Sequence, residues 1–441
     1  MKRKALFVAL LTLICLFFLL GTFIRTEGDY MRYFFWQDDA DTGMDFFNSL
    51  AETVGGEPYG RFFTVYPPFS NGIFYAMQVM VPSEVKDSWP RCHEEVVALR
   101  RTPGDLRTYQ PTAVLFIFNL AVYFFMTGAV IVYKFRQDAV SGIGLAFTAI
   151  FSYGSLTALE RGNIIAIAMV FTMIFIFGYD SPERIVRILS CCSLVIAAAI
   201  KLYPAVFFLL MFDGKKSRSS RVFYTLSCIE LGSIISLIPL FRFGGLEDLS
   251  LFLKILTGFN AGGNDDAVYY RYGMRGIAEH ITMSPRLHSL LLASDPVQLY
   301  RFLLVFSSIV LLYAFFRHMR AEEDPCEAAF DLTVLLILVQ TRSCDYTLCF
   351  FVPVLILMLF GDHTLCLQRI PYFIMLLIFI LPYPTTAIND ASNMVLHHVD
   401  IVQFTLITAV MYEFAVYIGL PLLHMLHYMI HSSFSHPHRY A

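Results

Sequence analysis

The stretch from Trp36 to Asn48 carries four carboxylates among aromatic side chains: Asp38, Asp39, Asp41 and Asp45. An apolar run long enough to cross a bilayer precedes this stretch, so we expect the acids to lie against a membrane surface. An acidic loop is commonly only a solvated surface. Asp45 fits that explanation less well than its neighbours, because Met44 and Phe46 flank it with apolar side chains. A carboxylate in such a setting is a candidate general base.

Further charged and polar residues follow in three later clusters. They are Glu160, Arg161 and Asn163; Arg271, Arg275 and His280; and Arg342, Asp345 and Tyr346. If the apolar segments between them cross the membrane in turn, these clusters and the acidic stretch lie on one side of it. Ionisable residues at a membrane are costly to bury and are therefore a functional hypothesis. Carboxylates, arginines and a histidine suit a reaction that needs a base and an anion clamp, and paired arginines suit a phosphate leaving group.

A metal site is not expected. Asp39-Ala40-Asp41 has the Asp-x-Asp spacing of metal-binding nucleotide-sugar enzymes, but nucleotide sugars are cytoplasmic and no histidine lies near this motif. Several histidines occur between His424 and His438, in a terminal tail where an exposed position more often has no role. The sequence therefore predicts neither a metal nor another cofactor.

The composition is that of a membrane protein. Of the 441 residues, 57% are hydrophobic and 15% are charged, and the mean hydropathy is +0.61. A soluble chain with a water-facing surface could hardly sustain these values. The net charge of −3 comes without a concentrated basic face, which excludes a nucleic-acid partner. We expect an all-α, polytopic transmembrane helical bundle that forms a single domain over residues 1–441.

Apolar runs and basic turns predict about ten full crossings of the membrane. Lys2, Arg3 and Lys4 precede the first apolar run and place the amino end in the cytoplasm. Two long polar segments, 21–110 and 244–298, become extracytoplasmic loops with short surface helices, and residues 429–441 form a cytoplasmic tail. The acidic stretch and the later clusters then lie at the extracytoplasmic face of a cell membrane.

The segment from Ile188 to Phe212 departs from this pattern. It has the length of one helix, yet basic residues precede and follow it, so both ends favour the cytoplasm. Lys201, Tyr203 and Pro204 interrupt it, and irregular backbone at membrane depth is tolerated only where it is buried in protein or lines a cavity. We expect a broken, re-entrant pair of half-helices; a single Pro-kinked span is the alternative. Lys201 either serves the site or only snorkels or pairs with a carbonyl.

Four groups of motifs, in their order along the chain, resemble those of glycosyltransferase family 87. They are Thr42-Gly43-Met44-Asp45-Phe46-Phe47 with Gly56-Glu57-Pro58-Tyr59 and Tyr66-Pro67-Pro68; Glu160-Arg161-Gly162-Asn163; Ala199-Ile200-Lys201-Leu202-Tyr203-Pro204; and Pro353 after Asp345. The resemblance extends from about Asp38 to Met358 and depends on the order of the motifs rather than on any one of them. Many family members have a histidine where this chain has Asp345 and Tyr346. His280 is one possible replacement for it, and a site without that histidine is another.

The resemblance implies a fold of the GT-C architecture and transfer of a sugar, typically mannose, from a polyprenyl-phosphate carrier to a lipid or cell-envelope glycan acceptor. The implied general base is Asp45, with Asp41 next in line, and the implied reaction inverts the anomeric centre. Arg271, Arg275 or Arg342 would stabilise the leaving phosphate without a metal. The implied substrate-binding residues are Glu160, Arg161, Asn163, Lys201, Tyr203, Arg271, Arg275, His280, Arg342, Asp345 and Tyr346.

A transporter or flippase for a lipid-linked sugar or another anionic substrate is the alternative function. Broken helices and a lysine at membrane depth occur in such proteins too. A transporter's site should be reached from both sides of the membrane, whereas the predicted clusters all lie on one side.

Overall fold

The computed structural model describes residues 2–25, 42–81, 86, 106–212, 217–261, 296–320, 325–339, 345–360, 374, 377 and 378. Over this part of the chain the regular structure is helical and contains no strand, which confirms the predicted all-α fold for these residues. The α-helices are α1 (Lys2–Arg25), α2 (Met44–Glu52), α3 (Pro68–Gln78), α4 (Gln110–Lys134), α5 (Ala139–Ile150), α6 (Tyr153–Glu160), α7 (Ile165–Gly178), α8 (Arg184–Ile200), α9 (Arg218–Leu237), α10 (Leu246–Ala261), α11 (Pro296–Met319), α12 (Pro325–Val339) and α13 (Phe351–Phe360). The 3-10 segments are Val54–Gly56, Leu106–Thr108, Arg136–Asp138, Tyr203–Phe212, Ile238–Phe241 and Asp345–Phe350.

Among the described residues, two helical stretches are long and apolar enough to cross a membrane, namely Gln110–Lys134 and Ser219–Phe241. A third joins Arg136–Ile150 to Tyr153–Glu160 across a bend of 53°. Shorter apolar helices lie at Ala5–Phe17, Ile165–Gly178, Tyr203–Phe212 and Tyr346–Phe360. The chain is therefore a helical membrane protein. The prediction of about ten crossings and the division into two long loops stay predictions. The predicted cytoplasmic tail (429–441) lies outside the described residues.

Contacts at the helix termini define two ends of the bundle. At one end, which we call the site end, the Phe116 ring near the start of α4 lies 5.4 Å from the rings of Phe46 and Phe47 in α2. At the other, which we call the basic end, Lys134 at the end of α4 donates to the carbonyl of Phe177 at 3.1 Å. Phe177 lies near the end of α7, so α4 and α7 both run from the site end to the basic end.

Helices α1 and α5 run in the opposite direction. Gly144 of α5 packs against Val8 and Thr12 of α1, where a Cβ atom would lie only 2.7 Å from the Thr12 hydroxyl. Further along both helices, the Cys15 thiol donates to the carbonyl of Phe151. The two helices are therefore parallel. Since a short 3-10 turn joins α4 to α5 at the basic end, the amino end of α1 lies towards the basic end as well.

The predicted break at Lys201 is observed. Helix α8 ends at Ile200, and Lys201 adopts an extended backbone with φ −139 and ψ 138. The 3-10 segment Tyr203–Phe212 follows. Ser70 of α3 donates its hydroxyl to the carbonyl of Ile200, so the terminal carbonyl of α8 has a partner and this helix ends at the site end.

The chain reverses its direction at this break. Gly72 of α3 lies against Pro239, which places the carboxyl end of α9 at the site end and its start at the basic end. Arg221 near the start of α9 donates to the carbonyl of Phe212 at 3.3 Å. The 3-10 segment after Lys201 therefore brings the chain back to the basic end. The basic residues that precede the segment from Ile188 to Phe212 and those that follow it thus lie at the same end of the bundle. That this reversal is a re-entrant pair within a bilayer stays a prediction.

Apolar side chains form a large core and a smaller cluster at the site end. The large core draws on α1, α4 to α8, α12 and α13. Its helices approach closely at Gly154 of α6, where a Cβ atom would lie 2.5 Å from the backbone nitrogen of Cys349. The smaller cluster holds the first motif region, within residues 42–81, against α7 and α8. It contains Phe46, Phe47, Leu50, Ala51, Phe62, Tyr66, Phe74, Val81, Leu106, Ile164, Ala168 and Ile200.

Candidate active site

Helix α2 presents Asp45 at its first turn. The helix follows Gly43, whose left-handed backbone (φ 72, ψ 1) turns the incoming chain into the helix. The apolar residues Phe46, Phe47 and Leu50 are buried against the site-end cluster. Asp45 lies at the edge of this buried face, and a carboxylate in the first turn of a helix is stabilised by the helix dipole.

The Asp45 carboxylate accepts hydrogen bonds from two residues of the turn between α6 and α7. Arg161 Nη2 lies 2.8 Å from Asp45 Oδ1, and Asn163 Nδ2 lies 2.7 Å from Asp45 Oδ2. The Asp45 side chain remains 17% exposed and that of Arg161 18% exposed. Both oxygens of the carboxylate are thus fixed in position while one side of the group stays accessible.

The two segments are also joined through their backbones. The backbone nitrogen of Gly43 donates to the carbonyl of Glu160 at 2.6 Å, and that of Asp45 donates to the carbonyl of Arg161 at 2.9 Å. The Thr42 hydroxyl adds a bond of 3.1 Å to Glu160 Oε1. We call these three hydrogen bonds the loop clasp. They place the first and second motifs in contact as one structural unit.

Gly162 makes this close approach possible. Its φ is +65, and a Cβ atom would lie 2.8 Å from the Cβ of Phe46 and 2.9 Å from the ring of Phe116. Any other residue would both strain the left-handed backbone and collide with these two side chains. The glycine between Arg161 and Asn163 is therefore required by the contact that orients them.

Asn163 is itself held by the helix that follows it. Its Oδ1 accepts from the backbone nitrogen of Ile165 at 3.0 Å, at the start of α7. This bond satisfies one of the amino-terminal donors of the helix and leaves the Nδ2 group directed at Asp45. Asn163 is 3% exposed, so its orientation is fixed by protein contacts on all sides.

Lys201, at the break after α8, stacks on an aromatic ring of the same site. Its Nζ lies 3.9 Å from the centroid of the Tyr66 ring and 5.8 Å from that of Tyr203. The lysine is 7% exposed. Cation–π contacts of this kind hold an ammonium group by the negative face of the ring.

Tyr66 connects this lysine to the acidic helix. Burial, and then the charges of Asp45 and Glu52, raise the pKa of the Tyr66 phenol well above its ordinary value. Tyr66 therefore lies among Asp45, Glu52 and Lys201 and remains an uncharged phenol.

Six predicted site residues take part in the contacts described here: Asp45 with Arg161 and Asn163, Glu160 with Thr42, and Lys201 with Tyr203 as well as Tyr66. Tyr346 is partly buried against the large core. Asp345 is described by its backbone, as the first residue of a 3-10 segment. The other predicted residues lie outside the described residues: Asp41, Arg271, Arg275, His280 and Arg342.

Three residues near Asp45 were not predicted as site residues. Tyr66 and Glu52 lie beside it, and Arg107 donates to the carbonyl of Thr42 at 3.4 Å. The spacing of seven residues between Asp45 and Glu52, two turns of one helix, could have indicated Glu52. Tyr66 belongs to the Tyr66-Pro67-Pro68 motif of the resemblance, but the resemblance gave it no role in the site.

The described residues contain no group of three or more His, Cys, Asp or Glu side chains that could hold a metal ion. Asp45 is instead surrounded by an arginine, an asparagine and a tyrosine. The expectation that the reaction needs no metal stays a prediction.

Comparisons with known proteins identify the family. No curated protein and no solved structure matches this chain. The family model of glycosyltransferase family 87 matches residues 63–341, which is more than half of the chain. The matched stretch includes Tyr66, the Arg161 to Asn163 turn and Lys201, and it begins after Asp45. The chain therefore belongs to glycosyltransferase family 87 and is a glycosyltransferase.

Proposed function

We propose that this glycosyltransferase moves a sugar from a polyprenyl-phosphate carrier to a lipid or cell-envelope glycan acceptor at the extracytoplasmic face, with inversion and with Asp45 as the general base. Mannose is the proposed sugar, on the resemblance of the motifs. The observation that carries the proposal is the Asp45 carboxylate, held by Arg161 and Asn163 at 2.8 and 2.7 Å and still 17% exposed.

The held carboxylate is suited to accept a proton. Each carboxylate oxygen has two lone-pair directions, and Arg161 and Asn163 occupy one on each oxygen. A hydroxyl of the acceptor can therefore donate to Asp45 without displacing either partner. Fixing both oxygens in advance lowers the entropic part of the barrier, because the base does not have to be oriented during the reaction.

The proposed reaction forms one bond and breaks another at the anomeric carbon. The acceptor oxygen attacks this carbon as its proton passes to Asp45, and the bond between the carbon and the phosphate oxygen breaks on the opposite face. The polyprenyl phosphate leaves with the bonding electron pair. No oxidant or reductant takes part, and Asp45 returns its proton to solvent afterwards.

Positive charge near Asp45 suits an anionic donor and its leaving phosphate. Arg161 contacts the carboxylate, Arg107 contacts the backbone at Thr42, and the Lys201 ammonium lies on the far side of the Tyr66 ring. Guanidinium groups bind phosphate oxygens through paired N–H donors. Arg271, Arg275 and Arg342 stay proposed contributors from outside the described residues.

The distribution of basic residues supports an extracytoplasmic site. The turn after α4, the amino end of α1 and the start of α9 all carry lysine or arginine, and all lie towards the basic end of the bundle. Basic residues mark the cytoplasmic side of a membrane protein. Asp45 lies at the opposite end, so the proposal places its reaction outside the cytoplasm.

Sugar transfer in vitro tests this proposal. Purified protein in nanodiscs is given a radiolabelled polyprenyl-phosphate mannose and a lipid extract as acceptor, with the Asp45→Asn variant in parallel. We expect product from the wild type and a fall of about a thousandfold in Asp45→Asn, since a general base contributes about 10² to 10⁴ in rate.

Glu57→Gln is the matched control for this test. Glu57 lies in the same loop, is 55% exposed and pairs with Arg61, so the same carboxyl-to-amide change there should leave transfer intact. Equal transfer by Asp45→Asn and the wild type would exclude Asp45 as the base. Label that crosses sealed vesicles without any product would favour the transporter alternative, which membership of a transferase family does not support.

A further inference from the structure

The ring of Tyr66 is one side of a buried contact with Lys201. The ammonium nitrogen lies 3.9 Å from the ring centroid, and Lys201 and Tyr66 are 7% and 8% exposed. A desolvated contact of this kind is stronger than one at an exposed surface. The lysine is therefore held at the helix break by the ring and does not extend into solvent.

Tyr66 packs in the same apolar cluster as the helix that carries Asp45. Its ring centroid lies 6.1 Å from that of Phe74, which lies 5.7 Å from that of Phe46, the residue after Asp45 in α2. One tyrosine ring thus contacts the lysine of the break and packs, through Phe74, against the first turn of the acidic helix.

The backbone of Tyr66 is fixed as well. Its carbonyl accepts from the hydroxyl of Tyr59 at 3.0 Å and from the side-chain nitrogen of Asn71 at 3.3 Å. Pro67 and Pro68 follow, and their rings restrict the backbone on that side. The ring cannot move relative to Asp45 and Lys201 without the loss of several contacts.

An uncharged ring holds a cation in a way that a carboxylate would not. The negative face of the Tyr66 ring attracts the ammonium, and the ring itself carries no charge. The contact therefore fixes the position of the Lys201 ammonium within the site.

We propose that Tyr66 is a positioning residue of the transferase site, which holds the Lys201 ammonium on its ring beside the helix that carries Asp45. The inference rests on the proposed function of the Asp45 site. It adds a residue that acts on the reaction through Lys201 and that does not itself touch the substrate.

A double-mutant cycle on transfer activity tests this role. Tyr66→Leu, Lys201→Met and the combined variant are compared with the wild type in kcat and in KM for polyprenyl-phosphate mannose. We expect each single variant to lower kcat about tenfold. The combined variant should be no slower than the slower single variant, because all three variants lack the contact between the Tyr66 ring and the Lys201 ammonium. Additive losses, or a wild-type kcat in Tyr66→Leu, would overturn the proposal.

Conservative variants separate positioning from a merely structural role. Tyr66→Phe keeps the ring, and Lys201→Arg keeps a cation that stacks on it, so each should retain at least about a third of kcat. Tyr75→Leu is the matched control: Tyr75 lies in α3, its ring centroid is 4.6 Å from the guanidinium carbon of Arg242 after α9, and its loss should leave kcat unchanged. Thermal unfolding and size-exclusion profiles show whether each variant is folded.

If Tyr66→Leu does not fold, the comparison of Lys201→Arg with Lys201→Met tests the ring contact. An equal loss of kcat in both variants would overturn the role of this contact. A clearly higher kcat in Lys201→Arg than in Lys201→Met would support it. Absence of transfer by the wild type would contradict the proposed function. Transfer by the wild type together with an unaffected Tyr66→Leu would contradict only the role of Tyr66.

Discussion

Asp45 and Arg161, which are separated by 116 positions in the chain, form an ion pair with 2.8 Å between Oδ1 and Nη2. The pair does not depend on the two side chains alone, because the backbone of Asp45 also donates to the carbonyl of Arg161 at 2.9 Å. The first loop and the turn before α7 are therefore held together whether or not the charges are present. Substitutions in this pair should affect the reaction more than the fold.

Removal of the guanidinium tests that expectation. We expect Arg161→Met to lower transfer about tenfold to a hundredfold, because Asp45 loses the donor that fixes one oxygen. The free energy of unfolding should fall by only about 1 kcal/mol, as for other partly exposed ion pairs. Arg161→Lys should be intermediate, since it keeps the charge but loses the planar fork. Wild-type kinetics in Arg161→Met would show that the pair has no part in transfer.

The amide of Asn163 offers an isosteric test of the same carboxylate. In Asn163→Asp an oxygen replaces the nitrogen that lies 2.7 Å from Asp45, and two carboxylates at that distance repel each other. We expect this variant to transfer sugar more slowly than Asn163→Ala, although alanine is the larger change in shape. Initial rates at pH 7 for equal amounts of folded protein would check this order. The reverse order would mean that Asn163 acts mainly by packing.

Gly162 should be the most sensitive small residue of the site. We expect Gly162→Ala to lower the free energy of unfolding by about 1 to 3 kcal/mol, from left-handed strain and collision with Phe46. Gly60→Ala is the control, since a Cβ atom at Gly60 would meet nothing within 4 Å. Chemical denaturation of both variants in detergent would measure the difference. Equal stability would contradict the close packing described here.

The stability of the protein should fall above about pH 10, partly because of Tyr66. Burial and then the charges of Asp45 and Glu52 raise its pKa in the folded state, so at higher pH the unfolded chain ionises this phenol before the folded chain does. The stabilisation is complete below the ordinary pKa and is lost as the pH rises above it. The unfolding midpoint of Tyr66→Phe should fall less steeply between about pH 9 and pH 11 than that of the wild type. Identical slopes would contradict the raised pKa.

The sequence predicted the break at Lys201, and it singled out Asp45 among the acidic residues, for physical reasons. Basic residues on both sides of one helix length indicated a reversal of the chain, and the structure contains it. Apolar neighbours indicated that Asp45 was not an ordinary surface acid, and the structure holds its carboxylate in place. Both inferences used local features that lie within one segment.

Contacts between distant segments could not be predicted in the same way. The predicted crossings placed Asp45 and the Arg161 to Asn163 turn on one side of the membrane, but nothing in their spacing indicated a direct contact. Tyr66 was not predicted as a site residue, because nothing in its local sequence indicates that its ring contacts Lys201, which lies far away in the chain. Helices such as α7, Ile165–Gly178, are shorter than a membrane span, so counting apolar windows does not give the number of crossings.

The loop clasp has a consequence for how new specificities could arise on this scaffold. Two of its three hydrogen bonds join main-chain atoms, from Gly43 to Glu160 and from Asp45 to Arg161, and any residue other than proline can supply them. Side chains at positions 45, 161 and 163 can therefore be exchanged while the two segments keep their register. Main-chain bonds hold the two segments together, whereas side chains supply the reacting groups. A laboratory selection for another sugar or acceptor can therefore vary these side chains and leave the glycines and their main-chain bonds in place.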